Sequence, residues 1–191
     1  MAAPAYFNAP VPSFGDLDAR LLVVGLAPGL HGANQTGRPF TGDYAGDLLY
    51  ETLLAFAFAD GRYGRRPDDG LTPRNCRITN AVRCVPPENK PTPAEIGVCN
   101  GFLASEIAAM PRLRVIVALG RVAHDAVLMA LGLRRATRPF AHAAEHRLSD
   151  NLTLFDSYHC SRYNTNTGRL TEAMFQSVFK AVAARVNSTS P

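Results

Sequence analysis

The stretch Leu21 to Asp47, LLVVGLAPGLHGANQTGRPFTGDYAGD, decides the fold because an apolar run changes abruptly into a long loop rich in Gly, Asn and Thr. Leu21 to Val24 are consecutive apolar residues, a pattern typical of a strand that is buried on both faces of a parallel sheet. From Asp43 onward the pattern becomes helical. The loop therefore joins the carboxyl end of a strand to the amino end of a helix, where ligands of open α/β sheets bind.

The composition of this loop allows a ligand to approach the backbone closely. Its turn-forming residues are Gly25, Gly29, Gly32, Gly37, Gly42 and Gly46, with Pro28 and Pro39. Most Gly-rich loops after a strand bind nothing identifiable, so the loop alone assigns no function. It matches neither the dinucleotide pattern G-x-G-x-x-G nor the P-loop pattern, which disfavours a nucleotide cofactor.

Length and composition indicate one domain over residues 1–191, because 191 residues with 47% hydrophobic content suit a single substantial core. The net charge of +4 permits an anionic partner without requiring one. Only Lys90 and Lys180 are lysine among the basic residues, and arginine is the better bidentate partner for phosphate. A GC-rich genome gives the same bias.

Several classes of protein are disfavoured by missing patterns. There is no run of about 18 apolar residues and no secretory leader, so we expect a cytoplasmic protein without a membrane partner. The four cysteines are unevenly spaced, and we expect no disulfides. The five histidines show no H-E-x-x-H motif and no close pairing with cysteine, so no metal site is predicted. Ser161 lacks a G-x-S-x-G context, which disfavours a serine hydrolase.

The rest of the chain alternates strands and helices. Strands are predicted at 76–82, 115–119 and 152–157, and helices at about 47–58, 93–110, 121–131 and 172–186. Thr92, Pro93 and Glu95 form a capping box with proline at the first helical position. Residues 1–19 read as an irregular arm and 187–191 as a frayed tail. The predicted fold is α/β, a single three-layer αβα domain with a central parallel sheet of about four strands flanked by helices.

Three long polar loops follow the strands of this sheet, and we expect them to form one site at its carboxyl edge. They bring together an aromatic ring, amides and one histidine, which suit a planar heterocycle better than they suit a nucleophilic mechanism. The candidate side chains are Phe40, Asp43, Asn80, Asn89, Lys90, His159, Arg162 and Asn164. Arg134, Arg135 and Arg138 form a basic connector that reads as a solvated loop, with phosphate binding as the sharper alternative.

Three of these segments carry a resemblance to a known family. They are GLAPGLHGANQTGRPFTGD, ITNAVRCVPPENKPTPAE and SYHCSRYNTNTGRLT. Together, and in this order, they resemble the uracil-DNA glycosylase superfamily, nearest to its family 5, over roughly residues 14–179. The resemblance implies hydrolysis of the N-glycosidic bond of uracil, and of other deaminated or modified bases, after the nucleotide flips out of DNA.

The resemblance also implies roles for single residues. His159 matches the family's histidine, which donates a hydrogen bond to the oxyanion that develops on the base. Phe40 matches the ring that stacks on the flipped base, and Asn80 matches an asparagine that pairs with the uracil edge in related families. Gly25, Ala27, Pro28 and Gly29 would surround the base. Each residue also has a purely structural alternative. His159 could be a structural hydrogen bonder, Phe40 a core phenylalanine and Asn80 a cap of the strand end.

Activation of water is where this sequence departs from many superfamily members. They carry a polar residue where this chain has Leu26 and Ala27. Asn89 matches the residue that compensates in family 5, and Asp43 is the runner-up because it is the nearest carboxylate. A turn residue and a helix cap, respectively, are the structural alternatives. Arg162, Tyr163 and Asn164 match the loop that enters the minor groove, so DNA is the expected partner.

Families 4 and 5 normally hold a 4Fe-4S cluster on four cysteines. Cys84 and Cys99 match the downstream pair, but residues 1–19 contain no upstream pair, and Cys76 and Cys160 fall on a strand and in the catalytic loop. We expect no cofactor in this chain, with a 4Fe-4S cluster as the alternative if an amino-terminal cysteine pair is missing through truncation.

The expected activity is therefore that of a monofunctional, monomeric DNA repair glycosylase. The main alternative is a catalytically weak DNA or abasic-site binding module of the same fold. A nucleosidase acting on free deoxyuridine is a remote third hypothesis.

Overall fold

The central sheet has five strands, and four of them are parallel. The computed structural model describes residues 6–188, apart from the side chain of Asn89. The strands of this sheet are β1 (Leu21–Gly25), β4 (Cys76–Asn80), β5 (Val115–Leu119), β6 (Glu145–Arg147) and β7 (Thr153–Ser157), in the spatial order β4-β1-β5-β7-β6. Only β6 runs antiparallel, paired to β7. The predicted parallel sheet is confirmed, and the structure adds β6 at its edge as a fifth strand.

Helices cover both faces of the sheet, which confirms the three-layer αβα prediction. They are α1 (Ala33–Thr36), α2 (Tyr44–Ala55), α3 (Pro93–Ala108), α4 (Arg121–Ala130), α5 (Arg162–Asn166) and α6 (Glu172–Asn187). Alternate strand residues point to opposite faces. Leu21 and Val23 pack in one core with α2 and α6, whereas Leu22 and Val24 pack in the other with α3 and α4.

The predicted helix ends are mostly confirmed. The Thr92 side chain accepts from the Glu95 backbone N–H, and the Glu95 side chain accepts from the Thr92 backbone N–H, so the capping box is formed. The helix predicted at about 47–58 begins earlier, at Tyr44, because Asp43 caps it by accepting from the Gly46 N–H at 3.3 Å. Asn187 still belongs to α6, and residues 189–191 of the predicted tail lie outside the described residues.

The amino-terminal arm is more ordered than the pattern predicted. Phe14 exchanges backbone hydrogen bonds of 2.9 and 2.8 Å with Ile78 on β4, and so covers the exposed edge of the sheet. Residues 6–8 lie on the first loop: the Phe7 and Asn8 N–H groups donate to the carbonyls of Gln35 and Asn34. Residues 1–5 of the predicted arm lie outside the described residues.

The polar segment after α2, which reads as a surface loop, contains a small hairpin and a buried ion pair. Two-residue strands β2 (Ala59–Asp60) and β3 (Thr72–Pro73) pair antiparallel. Arg38 of the first loop binds both carboxylate oxygens of Asp69 at 2.8 and 2.7 Å, with 6% and 3% of the two side chains exposed. Burial opposes ionisation of Asp69, but the Arg38 hydrogen bond lowers its pKa well below the usual range. The pair therefore fixes the first loop to the hairpin segment.

Within residues 6–188 the longest helices have 16 residues, and none has the length and hydrophobicity that a bilayer span requires.

Candidate active site

Sheet register explains why residues far apart in sequence meet at the carboxyl edge. Gly25 at the end of β1 is the direct partner of Asn80 at the end of β4. The connection after β1 runs through α2 on one face, whereas the connection after β5 runs through α4 on the other. Strands whose connections diverge in this way leave a crevice at their carboxyl ends, where ligands bind.

Gly25 is the contact point between the first loop and the second strand. A Cβ atom at this position would collide with Oδ1 of Asn80 and with the ring of Phe40. Any larger residue at Gly25 would therefore displace both side chains. The Gly25 and Leu26 carbonyls also accept from the Ala81 and Val82 N–H groups at 2.9 and 3.0 Å. Two of the three predicted loops are thus joined at this glycine.

Phe40 faces His159 across the crevice. Their ring centroids are 6.0 Å apart and the ring planes are inclined by 26°. Only 5% of Phe40 is exposed, so its ring is part of one core cluster and also the apolar neighbour of His159. The geometry brings the predicted base-stacking ring and the predicted catalytic histidine together, and the stacking role itself stays a prediction.

The backbone of Phe40 is held in an unusual conformation. Its φ of 55° lies in the left-handed region, which is costly for a bulky residue and persists where neighbours enforce it. The Tyr50 hydroxyl donates to the Pro39 carbonyl at 2.6 Å, and the Tyr63 hydroxyl donates to the Phe40 carbonyl at 3.1 Å. Neither tyrosine is among the predicted site residues, since each lies outside the three motifs.

His159 is partly buried, and hydrogen bonds hold its loop in place. The Asn164 side chain donates to the His159 carbonyl at 2.8 Å, and Ser161 caps α5 by accepting from the Asn164 N–H at 3.4 Å. Burial lowers the pKa of His159 to about 4. The imidazole is therefore neutral near pH 7, which suits a hydrogen-bond donor better than a proton donor.

His159 opens onto a cavity of about 400 Å³. Beside His159 and Asn164 its wall includes Gly120, Arg121, Phe140, Ala141, Tyr158 and Arg169. The arginines were not among the predicted site residues, although Gly120 and Arg121 follow a strand in the same way as the three predicted loops. A larger cavity, about 690 Å³, is lined by the arm, the first loop and Arg65 to Asp68, and contains none of the predicted catalytic residues. The smaller cavity is therefore the one that contains the predicted catalytic histidine.

Asp43 lies on the first loop and serves as the cap of α2. Its Oδ2 atom is 3.2 Å from the position that a Cβ would take at Gly29, and 2.5 Å from that position at Gly32. Burial raises its pKa above the usual value. The capping role is confirmed, and a catalytic role stays a prediction. Asn89 ends a 3-10 turn (Pro87–Asn89), and its predicted role falls on a side chain outside the described part of the structure.

The predicted DNA-contacting residues lie on the short helix α5. Arg162 lies over the Tyr44 ring, 5.2 Å from its centroid, and Tyr163 is 73% exposed. Neither lines the His159 cavity, whereas Asn164 does. Among the remaining substrate-binding predictions, Pro28 is buried and Ala27 and Gly29 are partly exposed on the first loop.

The four cysteines do not form one set of cluster ligands. Cys84 is exposed and Cys99 is partly exposed, whereas Cys76 and Cys160 are buried in the core. Burial raises the pKa of both core thiols, and the Cys160 thiol donates to the Ala45 carbonyl at 3.4 Å. A 4Fe-4S cluster takes four thiolates. The residues of this chain therefore fit half of such a site.

A buried histidine network supports the wall of the His159 cavity. Asp156 on β7 accepts from His124 Nδ1 at 2.7 Å and from His146 Nε2 at 2.9 Å, and His124 Nε2 donates to the Arg138 carbonyl at 2.9 Å. The three side chains are close enough to hold a metal ion. However, hydrogen bonds already satisfy both nitrogens of His124 and both oxygens of Asp156, so the geometry does not require one. Burial opposes protonation of His124, but the Asp156 bond raises its pKa overall.

The known proteins that this chain is similar to are uracil-DNA glycosylases. Residues 12–183 match the model of the uracil DNA glycosylase superfamily. The chain is 49% identical over 173 residues to a type-5 uracil-DNA glycosylase of Thermus thermophilus, covering 91% of this chain and 78% of the relative. It is 43% identical over 180 residues to a type-5 enzyme of Pyrobaculum aerophilum, covering 94% and 78%. A type-4 uracil-DNA glycosylase of Archaeoglobus fulgidus is 35% identical over 128 residues, covering 66% and 56%.

Proposed function

Because this chain belongs to the uracil DNA glycosylase superfamily, we propose that the crevice between the first loop and His159 is where it releases uracil from DNA. The enzyme hydrolyses the N-glycosidic bond between uracil and deoxyribose and leaves an abasic site. The observation that supports this location is the neutral His159 facing Phe40 beside the paired residues Gly25 and Asn80.

His159 is proposed to stabilise the departing base. Cleavage of a glycosidic bond passes through an oxocarbenium-like sugar and leaves negative charge on the leaving group. A neutral imidazole donates a hydrogen bond to that charge and keeps its proton, and one such preorganised donor contributes about 3 to 4 kcal/mol. Asn164 keeps the His159 backbone in place through its bond to the His159 carbonyl.

The first loop and the second strand are proposed to recognise the base. Phe40 would stack on the flipped uracil, and the Asn80 amide would pair with its hydrogen-bonding edge. The backbone from Gly25 to Gly29 would surround the ring. Bases beyond uracil are part of the same proposal, because stacking on Phe40 is tolerant of base identity.

Asn89 is proposed to position the attacking water, with Asp43 as the second candidate. The apolar pair Leu26 and Ala27 leaves the start of the first loop without a polar side chain. A dissociative transition state needs little nucleophilic push, so an amide that orients water is sufficient. Arg162, Tyr163 and Asn164 are proposed to contact DNA beside the extracted nucleotide.

None of these steps uses a cofactor. We expect this chain to hold no 4Fe-4S cluster, because a four-thiolate set would require Cys76 and Cys160 to leave the core. Iron analysis of the purified chain tests this expectation, and about four iron atoms per chain would contradict it. We also propose that the enzyme acts as a monomer in the cytoplasm, which sedimentation and cell fractionation test.

A substrate panel tests the proposed activity. The chain is incubated with a uracil-containing duplex, with the matched thymine duplex and with free deoxyuridine, and the DNA is then treated with alkali. We expect strand scission only in the uracil duplex and no release of uracil from deoxyuridine. Binding to the uracil duplex without scission would indicate the catalytically weak binding module, and release from deoxyuridine would indicate a nucleosidase.

A further inference from the structure

The His159 cavity lies next to a second cavity of about 290 Å³, because Arg121 and Phe140 line both. Together they form a groove that leads from His159 across the start of α4 to the connector after α4. The groove carries Arg169 at the His159 end, Arg121 in the middle, and Arg135 and Arg138 at the far end. We call this surface, defined by these four residues, the arginine groove.

The arginine groove holds an excess of positive charge. Asp125 is its one lining carboxylate, and it is 3.3 Å from Arg135. Within residues 6–188, no carboxylate comes within 4.0 Å of the guanidinium groups of Arg121, Arg138 or Arg169. Arg138 instead donates to the Thr137 hydroxyl at 3.1 Å, and Arg169 lies over the Tyr158 ring at 4.5 Å. Clustered arginines without internal partners favour an anionic ligand.

The wall of the groove is rigidly attached to the strand that leads to His159. The Arg138 carbonyl accepts from His124, and the Ala141 N–H donates to Asp156 at 3.4 Å. Asp156 lies on β7, three residues before His159. The Tyr158 N–H donates to His142 Nδ1 at 3.2 Å, and the two rings stack at 4.9 Å. A groove that is preorganised in this way binds its ligand with a smaller entropy cost.

We propose that the arginine groove binds backbone phosphates of the DNA strand on one side of the extracted nucleotide. The proposal rests on the proposed function, because a nucleotide held at His159 is continuous with its own strand. That strand must leave the pocket, and the groove starting at His159 offers guanidinium groups along one exit. Arg121 and Arg138 therefore contribute affinity that does not depend on base identity.

Salt-dependent binding to undamaged DNA tests this proposal. The double variant Arg121→Gln/Arg138→Gln removes two charges and keeps the Arg138 carbonyl that His124 uses. The matched control Arg20→Gln/Arg112→Gln removes two charges beside a cavity at the amino end of the strands. Affinity for a thymine duplex is measured by fluorescence anisotropy between about 50 and 200 mM salt.

We expect the slope of log affinity against log salt to become shallower by about 1.8 in the groove variant, since each lost phosphate contact removes about 0.9. The control should keep the wild-type slope. If the double variant loses its thermal unfolding transition, the single variants are used, each with an expected change of about 0.9. A groove variant that follows the control would overturn the proposal. Because this DNA contains no uracil, a wild-type protein that binds it with the expected salt dependence but releases no uracil from a uracil duplex would overturn the proposed function alone.

Discussion

At the level of single residues, the charge state of His159 decides how it acts. A histidine that is protonated at neutral pH would transfer a proton to the departing base, whereas a neutral one donates a hydrogen bond and keeps its proton. Burial lowers the pKa of His159 to about 4, in contrast to His124, whose pKa is raised overall despite burial because Asp156 holds its imidazolium form. The two histidines of one protein are thus expected to titrate in different pH ranges, with the pKa of His159 below and that of His124 above the ordinary value.

Histidine titration by NMR measures this difference. We expect the His159 ring to keep the chemical shift of a neutral imidazole as pH falls through about 6.5, the ordinary histidine pKa. The shift should change only near pH 4. Because the folded pKa lies below the unfolded one, the free energy of unfolding should fall as pH drops through this interval. A His159 midpoint near the ordinary value would contradict the neutral-donor account. His159→Gln identifies the signal.

Two substitutions distinguish Asn89 from Asp43 as the residue that positions the attacking water. Asn89→Ala should reduce the rate of uracil excision by about 100-fold, the lower range for loss of a group that handles the attacking water, with the thermal unfolding midpoint unchanged. Asp43→Asn keeps an oxygen that caps α2 and should retain most activity. Single-turnover rates decide between them, and a larger loss in Asp43→Asn would transfer the role to Asp43.

At the level of elements, the first loop is shaped by residues outside the sequence motifs. Tyr50 on α2 and Tyr63 between β2 and β3 donate to the carbonyls of Pro39 and Phe40, and so maintain the left-handed backbone of Phe40. Burial raises the pKa of Tyr63 to about 12, so its hydroxyl stays protonated and able to donate. The elements behind the loop therefore determine the orientation of the proposed stacking ring.

Tyr50→Phe tests this dependence. The variant removes one of two donors to the buried Pro39 carbonyl and leaves the Thr41 hydroxyl at 3.2 Å as the other. Loss of this one hydrogen bond should lower the free energy of unfolding by about 0.5 to 1.5 kcal/mol. We also expect a higher KM for a uracil duplex, because Phe40 loses part of its support. Tyr163→Phe is the matched control, since that side chain is 73% exposed. A Tyr50→Phe enzyme with unchanged stability and KM would show that the hydroxyl does not position Phe40.

Strong local sequence signals predicted the long helices and strands. The short elements were not predicted because they lack such signals. The capping box at Thr92 and Glu95 and the apolar run Val115–Leu119 fix their elements closely. Strand β6, Glu145–Arg147, consists of Glu, His and Arg, because an edge strand of three residues needs no apolar pattern. The hairpin strands have two residues each, and α1 has four, which is too short for periodicity to appear.

At the level of the whole molecule, sheet topology assembles the site. The proximity of Gly25, Phe40, Asn80 and His159 was predictable because each follows or ends a parallel strand, and such ends meet at one edge. The arginine groove and the two tyrosines that support Phe40 could not be predicted. Their side chains reach the site through tertiary packing, which no local sequence pattern encodes. Arg162 and Tyr163 lie outside the His159 cavity, so their proposed DNA contacts require a bound duplex.

The single-turnover rate of uracil release from a duplex, compared between wild type and His159→Ala, tests the central claim most directly. His31→Ala is the matched control, because His31 is an exposed histidine on the first loop. We predict a loss of about 100 to 1,000-fold in His159→Ala, the effect of removing one preorganised donor, and a rate within a few-fold of wild type in the control. A folded His159→Ala enzyme that releases uracil at the wild-type rate would contradict the account.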